Sequence, residues 1–151
     1  MSIFDEIAQI VGPQNISTDR IECLCNSRDM SVHQGVAQAV VYARTTEQVS
    51  AIMKLAHRDK IPVTARGSGT STTGAVLPVR GGILLDLHLM NKVLEVDADN
   101  MSVTVQAGIT IWELNEHLAP HGLWLPHQPE SKRACTIGAS IGVDNDSTFG
   151  V

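Results

Sequence analysis

Aromatic residues are scarce in this sequence: two Trp, one Tyr and two Phe, or 3% of the chain. So few rings cannot build a stacking platform for single-stranded nucleic acid. Positive charge is short as well. Eleven Lys and Arg stand against 16 Asp and Glu, a formal net charge of −5, and no basic stripe gathers along the chain. That excludes a nucleic acid held through its phosphates. No apolar run approaches the ~18 residues of a membrane span, so no transmembrane segment is expected. The opening Met1-Ser2-Ile3-Phe4-Asp5-Glu6 lacks the basic and apolar regions of a secretory signal. Cysteine is limited to Cys23, Cys25 and Cys135. An odd count without framework spacing fits reduced thiols in a cytoplasmic setting. Cys23-Leu24-Cys25 has no second pair, so a four-cysteine zinc site is excluded. What is present reads as globular: 43% hydrophobic and 18% charged residues in a chain of 151, enough for one ordinary core.

Hydrophobic periodicity then orders the chain. Ile3, Phe4, Ile7, Ala8, Ile10 and Val11 recur at helical spacing, with Ser2 as N-cap and Gly12-Pro13 as a stop. Residues 14–35 are polar and read as an irregular arm, so residues 1–33 are expected to form an N-terminal helix and arm. Ala39-Val40-Val41-Tyr42-Ala43 predicts a strand. A helix capped by Thr45 or Thr46 follows, with Val49, Ile52, Met53 and Ala56 on one face. Ile61-Pro62-Val63-Thr64-Ala65 predicts the next strand. Strand, helix and strand in this order form a βαβ unit with an expected right-handed crossover. Three further strands read as a β-meander. Gly82-Ile83-Leu84-Leu85-Asp86-Leu87 is apolar enough to be buried on both faces. Lys92-Val93-Leu94-Glu95-Val96-Asp97 and Ser102-Val103-Thr104-Val105-Gln106-Ala107 alternate and pair around the turn at Asp97-Ala98-Asp99-Asn100. Thr110 caps a helix reaching Leu118, broken by Pro120 and Gly122. Trp112 and Trp124 read as core or hinge residues. The chain stops at Phe149-Gly150-Val151 without a closing element, so a fragment, or a chain whose other half lies elsewhere, is expected.

Two segments of small residues carry the chemistry. Arg66-Gly67-Ser68-Gly69-Thr70-Ser71-Thr72-Thr73-Gly74 leaves a predicted strand. Glycines there can turn backbone N–H groups toward phosphate oxygens, and the hydroxyls add neutral donors. No Gly-Lys-Ser/Thr follows, so this is not a Walker loop, and the third glycine is misplaced for the dinucleotide fingerprint. Alone, the loop does not separate a phosphate nest from a surface turn. The second segment, residues 129–142, has small residues at apolar spacing, and its alternative is a tail without packing partners. Glu113, His117 and His121 follow i, i+4, i+8 spacing, but Pro120 interrupts the straight helix a metal triad would need. His127 lies just before the second segment and is a candidate neighbour of any ligand there.

The order of these pieces resembles a known family. Val41-Tyr42-Ala43-Arg44-Thr45-Thr46-Glu47-Gln48-Val49, the path from Ile61 through Arg66-Gly67-Ser68-Gly69-Thr70-Ser71, Gly82-Ile83-Leu84-Leu85-Asp86-Leu87, Met90-Asn91, Gln106-Ala107-Gly108 and Thr136-Ile137-Gly138 are similar to the FAD-binding domain of the PCMH type. That domain belongs to the FAD-linked oxidases of the vanillyl-alcohol oxidase superfamily, which include the glycolate oxidase D subunit and D-lactate dehydrogenase. The resemblance covers residues 34–151, read as an incomplete PCMH-type domain. It implies an α+β fold: a first α/β subdomain, made of the βαβ unit and the meander, and the start of a second.

The resemblance also implies site residues. Pro62 sits where the family's strand nears the cofactor. Arg66, Gly67, Ser68, Gly69, Thr70 and Ser71 would cradle the FAD pyrophosphate. Pro129, Glu130, Ser131, Thr136, Ile137, Gly138, Ser140 and Ile141 would run along the ribityl chain and the flavin edge. Some relatives carry a histidine joined to the flavin where this chain has Thr70, so the FAD is expected to be non-covalent. The usual double glycine is Gly138-Ala139 here, and the following stretch reads Asp144-Asn145-Asp146-Ser147. The implied activity is dehydrogenation of a small 2-hydroxy acid, with an electron-transfer partner subunit through which a cytoplasmic protein would sit at the membrane periphery. The alternatives are an enzyme of the ether-lipid synthase type and a non-catalytic subunit docking on a partner. No catalytic base is found, and none is expected in this part of the family's domain, so the activity is expected of the full-length protein and the 151 residues alone are expected to be inactive.

Overall fold

A computed structural model describes residues 2–144, which divide into two compact units, one running to Leu89 and the other beginning at Met90. In the first unit, α1 (Ile3–Val11) starts where the Ser2 side chain accepts from the Asp5 N–H and the Asp5 carboxylate accepts from the Ser2 N–H. The helix buries Ile3, Ile7 and Val11 and stops at Gly12. Residues 14–35 depart from the irregular arm expected of their polarity. Ile16–Ser17 (β1) adds an antiparallel edge strand, and Asp19 caps Arg20–Asn26 (α2) by accepting from two N–H groups. Asn15, Cys23 and Ser27 are buried. A few inward residues among polar neighbours suffice to seat a short helix, and a periodicity count does not detect them.

Ala39–Tyr42 (β2), Thr46–Asp59 (α3) and Val63–Arg66 (β3) form the expected strand-helix-strand series, with Thr45 capping α3. Ile83–Asp86 (β4) inserts between the two strands, giving the sheet order β1-β2-β4-β3. β4 is parallel to both neighbours and buried along its length, which matches its unbroken apolar run. The expected three-stranded meander is therefore divided, because β4 completes this parallel sheet and leaves only a hairpin downstream. Cys23, Ala37, Val40 and Leu84 pack as one cluster, joined by Tyr42. α1 lies against α3, whose buried positions are Ile52 and Ala56.

In the second unit, Val93–Asp97 (β5) and Ser102–Val105 (β6) pair antiparallel. The predicted strict alternation in β5 fails at one point. The register slips between Val93 and Glu95, so Leu94 and Glu95 both face solvent and Val96 returns inward. The inward Val93, Val96, Val103 and Val105 cover Ile109, Leu114 and Leu118. Leu114 and Leu118 belong to Ile111–Leu118 (α4), whose N-terminus is a Thr110–Glu113 capping box. A last short helix, Ile137–Gly142 (α5), is capped by Thr136. Trp112 and Trp124 are exposed rather than core residues. Residues 145–151, including most of the Asp144-Asn145-Asp146-Ser147 stretch and the terminal Phe149-Gly150-Val151, lie outside the described residues.

Candidate functional site

Ligands of open parallel sheets bind beyond the carboxyl ends of the strands. In the first unit that edge is formed by Tyr42, Asp86 and Arg66, which stand in register on β2, β4 and β3. Asp86 is buried. Its Oδ1 accepts from the His88 N–H at 2.9 Å and meets the His88 Nδ1, while Oδ2 lies 3.9 Å from the Arg66 Nε. The His88 ring stands edge-on to Tyr42, at 5.8 Å between centroids. Burial pushes the Tyr42 phenol up, and the nearby Glu22 carboxylate, to which its OH donates at 3.3 Å, adds to the shift.

The glycine-rich loop leaves β3 from this edge. Its first residue does not reach outward as a phosphate ligand would. The Arg66 guanidinium turns back under the loop, donating to the Arg28 carbonyl at 2.7 Å and to the Ser68 carbonyl at 3.5 Å. Its side chain is only 12% exposed. Gly69 has φ +75°, and a Cβ there would fall 2.2 Å from the Arg66 Nη2. Glycine is required twice over, by conformation and by the guanidinium packed against it.

Above this brace, the N–H groups of Gly67, Gly69, Thr70 and Ser71 donate to no protein acceptor among the described residues. All four residues are half-buried. The Ser71 hydroxyl lies 3.0 Å from the Thr73 hydroxyl and accepts from the Thr73 N–H. Neutral, unpaired N–H donors beside hydroxyls, at the carboxyl edge of a parallel sheet, are the donor set that phosphate oxygens require. The residues present thus fit a pyrophosphate. Pro62 is exposed at the other end of β3, and its carbonyl accepts from the Ile83 N–H.

Residues 129–141 lie in the second unit, and their backbone is largely spoken for. The N–H groups of Lys132, Ala134, Cys135, Ile137, Gly138 and Ser140 all donate to backbone carbonyls. Pro129, Thr136 and Ser140 are buried, Ser131, Ile137 and Gly138 are half-buried, and Glu130 and Ile141 are exposed. This is not a tail without packing partners, because Cys135 and Lys132 carbonyls accept from the first turn of α4 and Thr136 bridges to Thr110. Gly138 approaches Ala107 so closely that a Cβ would sit 2.7 Å from the Ala107 Cβ. His127 is drawn into this segment: its Nε2 lies 2.9 Å from the Ser140 Oγ, which lies 3.4 Å from the Cys135 Sγ. His127 is thus brought to the segment as its position suggested, whereas Ser140 and Cys135 as its partners leave no sequence signal.

Glu113, spaced for a metal triad, instead closes the cap of α4 by accepting from the Thr110 N–H and hydroxyl. α4 ends at Leu118, before His121. Among the described residues no group of His, Cys, Asp and Glu could hold a metal ion. Cys23 is buried and Cys25 exposed. Sequence reasoning missed Asp86 and His88 at the strand edge and residues 28–33 beside the loop. Asp86 stood inside an apolar run, where a single carboxylate is the available signal.

Comparison with known proteins agrees with this geometry. A family model described as an FAD binding domain matches residues 37–145. The glycolate oxidase subunit GlcD of Bacillus subtilis is 30% identical over 97% of this chain and 32% of its own length. A probable mitochondrial D-lactate dehydrogenase of Danio rerio is 31% identical over 84% of this chain and 26% of its own. Among solved structures, an alkyldihydroxyacetonephosphate synthase superposes with a TM-score of 0.88 at 25% identity, over 96% of this chain and 32% of its own. The chain thus spans a quarter to a third of the length of these relatives.

Proposed function

Since the chain belongs to the FAD binding domain family, we propose that its loop at residues 67–71 receives the FAD pyrophosphate and that the protein dehydrogenates a small 2-hydroxy acid of the glycolate or D-lactate kind. The observation that carries the reading is the set of unpaired N–H groups at the carboxyl edge of the parallel sheet. The substrate class is supported by the names of its relatives, a glycolate oxidase subunit and a D-lactate dehydrogenase. When bound, FAD supplies the two-electron oxidation chemistry. The chain's own part is to bind and orient. Gly67, Gly69, Thr70 and Ser71 donate N–H groups to phosphate oxygens, and Arg66 lends positive potential from beneath while remaining bonded to protein. Thr70 offers no imidazole for a covalent link, so the FAD is held non-covalently. Pro129, Glu130, Ser131, Thr136, Ile137, Gly138, Ser140 and Ile141 are proposed as further cofactor-binding residues. An electron-transfer subunit is the proposed partner, and residues 34–151 are the proposed FAD-binding portion.

A second reading, an enzyme of the ether-lipid synthase type, is favoured by the TM-score of 0.88 to the alkyldihydroxyacetonephosphate synthase. The test is anaerobic mixing of the FAD-loaded full-length protein with glycolate, with D-lactate, or with an acyl-dihydroxyacetone phosphate together with a long-chain alcohol. Loss of the oxidised flavin's visible absorption with either hydroxy acid is expected. Exchange of the acyl chain for an alcohol, with no net flavin reduction, would replace the first reading by the second.

A further inference from the structure

The segment at residues 28–33 forms a strap along the glycine-rich loop within the first unit. Three of its residues meet the loop at its start, middle and end. The Arg28 carbonyl accepts from Arg66 Nη1 at 2.7 Å. The Met30 N–H donates to the Ser71 carbonyl at 2.9 Å. At the far end, the His33 ring fills the space against Gly74, where a Cβ would come within 2.9 Å of its Cδ2.

Asp29 sits at the centre of this arrangement. Its Oδ1 accepts from the Ser31 N–H at 2.8 Å, which folds the strap back on itself. Burial opposes its charge, yet Ser31 and the Gly74 backbone hold the carboxyl below its usual value, with His33 helping. Its Oδ2 is buried and completes no hydrogen bond. A carboxyl held below its usual value contributes stability while ionised, and the groups that hold this one belong to the strap itself and to the far end of the loop.

Apolar burial does not fasten the strap, since Met30 is 75% and Val32 92% exposed. Its order comes from the loop, and the loop's order comes from it. Resting on the reading of the loop as the pyrophosphate site, we propose that Asp29 is a positioning residue, which holds the strap so that residues 66–74 present their N–H groups preformed to the cofactor. A loop fixed before binding spends less of its interaction energy on ordering itself.

The test uses Asp29→Ala and Asp29→Asn in the chain. Amide hydrogen exchange without ligand, FAD affinity by flavin fluorescence, and thermal melting are the readouts. Asp29→Ala is expected to speed exchange at Met30 and Gly74 by about tenfold while leaving the β4 amides of Ile83–Asp86 unchanged. FAD affinity is expected to fall by about tenfold. Asp29→Asn keeps an acceptor oxygen and is expected to recover most of both. Unchanged exchange at the loop, equal acceleration throughout β4, or faster loop exchange with unaltered FAD affinity would each overturn the proposal. If the parent chain itself binds no FAD, the reading of the loop as the cofactor site fails. Exchange at Met30 and Gly74 still decides whether Asp29 holds the strap.

Discussion

Gly69 is where conformation and packing make the same demand. Its φ of +75° disfavours any side chain, and the first carbon added would enter the Arg66 guanidinium at 2.2 Å. Gly69→Val should therefore lower FAD affinity by about 100-fold or more, with a stability cost of about 1–3 kcal/mol. Calorimetric titration and thermal melting separate the two effects. The neighbouring Thr70 leads to a second expectation. Acid precipitation of the FAD-loaded protein should release all the yellow colour to the supernatant, and colour kept in the pellet would show a covalent link elsewhere. At this scale the sequence revealed the small residues and the hydroxyls, but not the direction of Arg66. A cation before a glycine loop reads equally as a phosphate ligand or as a structural brace. Only the Arg28 carbonyl and Asp86, both distant in sequence, assign it to the brace.

The elements were more legible than their assembly. Caps at Ser2, Thr45 and Thr110 and the apolar run of β4 stood in the sequence because each is a local requirement. The place of β4 between β2 and β3 did not, since strand order is decided by non-local pairing. The slip at Leu94 was hidden for a related reason: Val93 and Val96 are odd partners for a strict alternation, and a bulge reconciles them. The contact of α1 with α3 allows a test of electrostatics. Arg58 donates to Glu6 at 3.0 and 2.8 Å and to Asp59, and these hydrogen bonds hold both carboxyls below their usual values. Depressed carboxylates contribute fully above their unfolded values, 4.5 for Glu6 and 3.8 for Asp59, and lose the contribution as pH falls through the folded ones. Denaturant midpoints of the parent and Arg58→Ala should differ slightly at neutral pH and converge in strong acid. A gap that persists there would show that the arginine acts through packing. In the second unit, Gly138→Val should cost about 1–3 kcal/mol by forcing Ala107 aside, read as a lower denaturant midpoint.

For the whole molecule, the family was readable because its motifs are spread along the chain in a fixed order, and the match over residues 37–145 agrees. The substrate was not readable, because the chain spans only a quarter to a third of its relatives. No helix among the described residues is long and apolar enough to cross a membrane. On the proposed reading, cofactor recognition in this chain begins with the pyrophosphate at residues 67–71. Calorimetric titration of the chain with FAD, ADP and riboflavin tests it most directly. FAD is expected to bind with a Kd above about 1 μM, ADP within about tenfold of FAD because it keeps the pyrophosphate, and riboflavin not detectably. Riboflavin binding as tightly as FAD, or a submicromolar FAD Kd that survives Gly69→Val, would contradict it.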